Sequence, residues 1–128
     1  MTLHVALVVP DRELWSGDAT NVIAKTTEGD IGVLTGHSPV FGVLAEGSLV
    51  EIINDETRVR AAVSGGFLSV ADDKVSILAA QAQLGGEVNV EQARQELAAA
   101  LAEAMPGAED SPAVRYAKAR LRAAGSQD

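Results

Sequence analysis

The chain has 128 residues, 47% of them apolar, and carries a formal charge of −8 with a pI near 4.6. That length suits one compact domain plus an appendage, because a small domain buries only about 60 to 70% of its extended-chain surface. The acidity works against non-specific binding to nucleic acid or to an anionic membrane surface, and the absence of cysteine excludes disulfides, thiolate metal sites and cysteine nucleophiles.

The start, Met1-Thr2-Leu3-His4-Val5, enters a strand pattern at once and lacks the cationic opening of a signal peptide. No stretch reaches the roughly 18 to 20 apolar residues of a membrane span. A soluble protein that works where it is made is the expectation. From Leu3 to about Leu84 short alternating or wholly apolar runs are separated by turn residues, which is how a small sandwich or barrel reads. The expected strands are Leu3 to Val9, Glu13 to Ser16, Asn21 to Thr27, Ile31 to Leu34, Val40 to Ala45, Leu49 to Ile53, Arg58 to Val63, Phe67 to Val70 and Val75 to Leu78. Glu28-Gly29-Asp30, Asn54-Asp55-Glu56 and Ala71-Asp72-Asp73 supply turn chemistry at hairpin spacing. Only Phe41, Phe67, Trp15 and Tyr116 are aromatic, so the core is expected to be Val, Leu, Ile and Ala, with Trp15 as an anchor against it.

Near Gly85-Gly86 the period changes to that of helices. Asn89 is placed to cap a first helix with Gln92 at its third position, and Val90, Ala93, Leu97, Ala100, Leu101 and Ala104 form one stripe. Met105-Pro106-Gly107 should stop it. Ser111 then caps a second helix with Pro112 at its first position, striped by Val114, Ala117, Leu121 and Ala124 and ended by Gly125. The predicted fold is α+β: an N-terminal antiparallel β-sandwich over 1–86, followed over 87–128 by a C-terminal two-helix antiparallel hairpin. Each helix is near the length at which an isolated helix is marginal, and its stripe is largely alanine, so the hairpin should dock, but weakly.

Charge is uneven along the chain. Through residue 88 there are 12 acidic residues and 5 basic ones, whereas the last helix carries Arg115, Lys118, Arg120 and Arg122. A solvated face with cations at a helix C-terminus explains these four as readily as a contact for an acidic partner does. His4 and His37 lie too far apart for a helical zinc pair, Ser64-Gly65-Gly66 lacks the Gly-x-Ser-x-Gly elbow, and no Gly-Lys-Ser/Thr follows Gly29, Gly32 and Gly36. From these residues alone a free-standing ligand-binding or adaptor sandwich stays open, and a histidine-dependent hydrolase using His37 ranks behind it.

Four segments in this order and spacing resemble the epsilon subunit of the rotary F-type ATP synthase. They are Glu28-Gly29-Asp30-Ile31-Gly32-Val33-Leu34, Gly36-His37-Ser38-Pro39-Val40, Ser64-Gly65-Gly66-Phe67-Leu68 and Val75-Ser76-Ile77-Leu78-Ala79. The resemblance runs almost the whole length and is closest in the first 80 residues. It implies a non-catalytic central-stalk subunit, peripheral on the cytoplasmic face of a bacterial plasma membrane, that couples a rotating c-ring to the gamma shaft. It implies that Glu28, Gly29, Asp30 and Ile31 face the c-ring, and that Gly36, His37, Ser38, Pro39 and Val40 contact the ring or gamma. Arg115, Lys118, Arg120 and Arg122 would meet acidic segments of the alpha and beta subunits when the hairpin extends, restraining ATP hydrolysis. Nucleic acid and membrane insertion have no part in it, and no cofactor is implied. Some members bind ATP as a regulatory ligand through an apolar-Asp-x-x-Arg-Ala motif. The matching stretch here keeps Arg94 but has Glu91 for Asp and Gln95 for Ala.

Overall fold

The computed structural model describes residues 2–55, 57–103 and 111–125. The expected helix stop at Met105-Pro106-Gly107, the stripe residue Ala104 and the turn residue Glu56 lie outside these. Among the described residues the first region forms ten strands: β1 Leu3–Val9, β2 Arg12–Ala19, β3 Asn21–Thr26, β4 Gly29–Leu34, β5 Val40–Leu44, β6 Ser48–Ile53, β7 Arg58–Val63, β8 Gly66–Ala71, β9 Lys74–Ala79 and β10 Ala82–Leu84. Nine occupy the runs read from alternation. The tenth, a three-residue edge strand, was not expected.

The strands run in the order β10-β7-β6-β3-β5-β8-β9-β1-β2, with β4 on the free side of β3. β3 and β5 meet at a single residue pair, Thr26 with Leu44. There the sheet folds over into two layers. Inward residues from both layers, among them Leu3, Val5, Leu7, Val22, Val33, Val50, Ile52, Leu68, Val70 and Ile77, form one buried aliphatic cluster with no helix residue in it. Trp15 packs half-buried against its margin. One pairing departs from the expected antiparallel pattern: β1 lies parallel to β9, from His4 beside Lys74 to Val8 beside Leu78. Elements so far apart in the chain are under no hairpin constraint, so either direction is open to them.

A 3₁₀ turn at Gly85–Glu87 leads out of the sandwich, across the expected boundary at 86/87, into α1 Val90–Glu103 and α2 Pro112–Ala123. Both caps follow from local chemistry. The Gln92 amide donates to Asn89 Oδ1 at 3.0 Å, and the Val114 amide donates to Ser111 Oγ at 3.3 Å. Neither helix is long and apolar enough to cross a membrane.

The helices differ in how they are held. α2 buries Val114, Ala117, Ala119, Arg120, Leu121 and Ala123, whereas α1 buries only Ala93 and leaves Leu101 exposed. α2 lies on the outer face of β6 and β7, where Ala119, Ala123 and Tyr116 pack on Leu49 and Ala62. α1 packs on α2.

Candidate functional site

Three surfaces of the molecule carry polar or apolar groups that the core does not use. The first is the β3–β4 turn. Glu28, Gly29 and Asp30 are exposed, and Ile31 is half-buried against the core. The turn is held by Thr26, whose hydroxyl donates to the Gly29 carbonyl at 2.7 Å and accepts from the Glu28 amide at 3.1 Å. Gly29 sits at a φ of 128°, open to glycine and costly for other residues. Asp30 stands opposite Lys25 across the ladder. A pair of carboxylates is thus displayed at one end of the sandwich on a short, tied turn.

The loop Gly36 to Val40 follows directly. It is anchored to the β8–β9 turn by the Gly36 amide, which donates to Asp73 Oδ1 at 2.7 Å. His37 donates from Nδ1 to the Ser38 carbonyl at 2.7 Å, which turns the ring along its own loop. Gly36, Ser38 and Pro39 are exposed, and His37 and Val40 half-buried. His4, the other histidine, is on β1, its imidazole beside Asp18 at 3.6 Å and its amide donating to the Asp73 carbonyl at 2.9 Å.

The second surface was not singled out from the sequence. On the outer face of the β5-β8-β9-β1-β2 layer, Phe41, Val43, Phe67 and Leu78 are 66%, 46%, 46% and 46% exposed. Register explains the row: Val43 pairs with Phe67, Phe67 with Leu78, and Leu78 with Val8. Phe41 stacks on Phe67 with ring centroids 5.5 Å apart. Beside them run Ser69, Ser76 and Ala6, side chains too short to cover the rings. An exposed apolar patch that carries a stacked aromatic pair has the composition of a docking surface. It begins next to Val40, so the Gly36–Val40 loop is its rim.

The third is the hairpin. The four cations of α2 do not act alike. Arg115, Lys118 and Arg122 line a groove of about 520 Å³ with Lys25, Asp30, Glu46 and Glu51 of the sandwich. Arg120 is instead 9% exposed and turned between the helices and the sheet. Its Nη1 donates to Glu96 of α1, its Nε donates to Gln83 Oε1 of β10 at 2.8 Å, and its guanidinium lies 5.7 Å over the Tyr116 ring. A wheel drawn for α2 alone leaves Arg120 facing no acid, because its carboxylate comes from another helix. Glu91 and Arg94 are exposed on the first turns of α1.

Tyr116 reports on the cluster. Burial raises its pKa above the ordinary tyrosine value, the Arg120 guanidinium opposes that shift, and Glu96 adds to it. A raised folded-state pKa means that the neutral phenol supports docking. Its contribution is complete below the ordinary value near 10 and is lost as pH rises through the folded value. Because Tyr116 is the one tyrosine, phenolate absorbance should titrate with a midpoint above the free-tyrosine value, and hairpin release should track it. A midpoint at or below the free value would contradict the packing around the ring.

Comparison with known proteins places the chain in a family. The family described as ATP synthase, Delta/Epsilon chain, beta-sandwich domain matches residues 2–85. The ATP synthase epsilon chain of Streptomyces coelicolor is 50% identical over 125 residues, covering 98% of this chain and 97% of its own length. That of Thermobifida fusca is 50% identical over 129 residues, covering 98% and 94%. Among solved structures, a chain of the Euglena gracilis mitochondrial ATP synthase (OSCP/F1/c-ring) aligns over 94% of this chain and 75% of its own with a TM-score of 0.70, at 24% identity, a likeness of fold. With the sandwich matched throughout and half of all residues shared with relatives over nearly the full length, the chain belongs to the epsilon chain family of ATP synthase, whose members are non-catalytic subunits of that complex.

Proposed function

We propose that the chain is a central-stalk subunit that passes rotation of the c-ring to the gamma shaft and restrains ATP hydrolysis through its C-terminal hairpin. The observation that carries this reading is the stacked Phe41–Phe67 platform on one outer face and a separately held hairpin on the other. The platform suits an apolar segment of gamma, with Gly36, His37, Ser38, Pro39 and Val40 at its rim. The turn Glu28, Gly29, Asp30 and Ile31 suits polar ring loops that carry basic side chains, where exposed charge sets register and encounter rate more than affinity. A two-layer sandwich with short loops between them transmits torque as a stiff body.

The hairpin is the movable part. Docked, its α2 cations Arg115, Lys118 and Arg122 line a groove with carboxylates of the sandwich; extended along gamma, the same residues and Arg120 would meet acidic segments of the alpha and beta subunits. Glu91 and Arg94 are the place for a regulatory ATP. The longer Glu91 arm and the bulk of Gln95 weigh against a tight site there. The working location is peripheral, on the cytoplasmic face of the membrane that holds the ring, with no nucleic acid and no inserted segment.

Replacing both Glu28 and Asp30 with Lys tests the ring contact. Both side chains are exposed, so the sandwich and its gamma binding should be unchanged, while Asp30, which also lines the groove beside Arg115, Lys118 and Arg122, should loosen the docked hairpin when reversed. Recovery of the ring with the stalk from membranes should fall, and the deficit should shrink as salt is raised. Unchanged recovery at low salt would remove these two carboxylates from the coupling surface.

A further inference from the structure

The last turn of α2 rests on a position with no side chain. A Cβ at Gly85, just past β10, would lie 2.1 Å from the Ala123 carbonyl oxygen and 2.8 Å from its carbon. No left-handed φ is recorded there, so the backbone itself would accept alanine and only the space is missing. Gly86, the next residue, likewise has no left-handed φ, and a Cβ on it would meet nothing within 4 Å. At the other end of α2, a Cβ at Gly47 would come within 2.4 Å of Arg115 Cβ and 2.5 Å of the Tyr116 amide nitrogen, here on a φ of 65°.

Between these two close approaches the helix crosses the outer row Leu49–Ala62–Gln83 of β6, β7 and β10. The bonds from Arg120 to Glu96 and to Gln83 tie α1, α2 and β10 together in the middle. Backbone contact at both ends and a shared guanidinium between them define one position of α2 along the sheet. A side chain at either glycine lifts the helix off, and a main-chain carbonyl does not give way as a flexible side chain does.

We infer that Gly85 is the seat that sets the resting position of the hairpin, with Gly47 as its second support and Arg120 as the clasp. The inference rests on the proposed reading only in treating the docked hairpin as one of two working positions; the seat itself is a property of the isolated chain. It makes Gly85 a positioning residue. The hairpin's bias toward the sandwich is then set by one methyl group's worth of space, and it is adjustable without touching the platform or the ring-facing turn.

The test compares the full-length Gly85→Ala and Gly86→Ala chains by amide hydrogen exchange and by emission of Trp15, which lines the crevice beneath Ala123, Ala124 and Gly125. Gly85→Ala should speed exchange across 112–123 by roughly tenfold or more, as loss of a local docking contact does. Its Trp15 emission should shift red, with strand protection unchanged, and Gly86→Ala should match the parent chain. Equal behaviour of the two variants, or unchanged α2 exchange in Gly85→Ala, would overturn the inference. So would loss of strand protection in Gly85→Ala, because Gly85 would then be part of the sandwich's own fold. Exchange is read without any partner. A released hairpin with unchanged hydrolysis in the assembled complex would therefore keep the seat and discard the regulatory reading.

Discussion

Changing Phe41 and Phe67 together to Asp should weaken binding to gamma by at least about 100-fold while lowering the thermal midpoint of the isolated chain only modestly. Both rings point away from the aliphatic cluster between the layers, so the cost to the isolated chain is that of the stacked pair and of strand propensity, about 1 to 2 kcal/mol. In a docked interface the same rings become the buried centre. Aromatic anchors there contribute about 2 kcal/mol or more each, roughly 30-fold in affinity, and a buried carboxylate adds a desolvation cost. Leu101→Asp is the control, an exposed apolar residue on α1, outside the platform. Calorimetric titration with gamma decides the matter: binding that survives the double change, or that falls equally with Leu101→Asp, rules out the platform.

Ending the chain at Asn89 should preserve binding to gamma and the ring and raise ATP hydrolysis by the assembled complex at least severalfold. The sandwich can spare the hairpin because its core cluster is drawn entirely from β1 to β9. What truncation uncovers is the outer patch of Leu49 and Ala62, a modest area that solvent tolerates. If the shortened chain bound gamma less well, the two regions would not divide their roles as proposed. If binding held and hydrolysis stayed flat, the hairpin would not be the restraint.

Much of this architecture was legible in the residues, and the parts that were not share a cause. Nine strands followed from alternation and turn chemistry, and both helix starts followed from caps whose donors lie three residues away. These are local signals. The apolar platform was hidden because Val40-Phe41-Gly42-Val43-Leu44 is apolar on both faces of β5, and only the partner strands reveal which face is covered. Arg120 read as one of four equivalent cations, facing solvent or an acidic partner, since Glu96 and Gln83, which bind it, lie on other elements. β10 was missed because three residues on a sheet edge are too short to show a period. The contact roles of Glu28 to Ile31 and of Gly36 to Val40 came from resemblance alone, and nothing in their own spacing names a partner.

The parallel pairing of β1 with β9 bears on how the molecule is made. During synthesis the first strand emerges long before its neighbour, and until β9 follows β8 out of the ribosome it has only the β2 ribbon on one side and nothing on the other. A two-stranded ribbon by itself is marginal in water, and joining it to β9 closes a loop that spans most of the domain, the kind of long-range step that slows folding. The buried half of β1, Leu3, Val5 and Leu7, therefore stays accessible to chaperones and to neighbouring nascent chains until translation has passed β9.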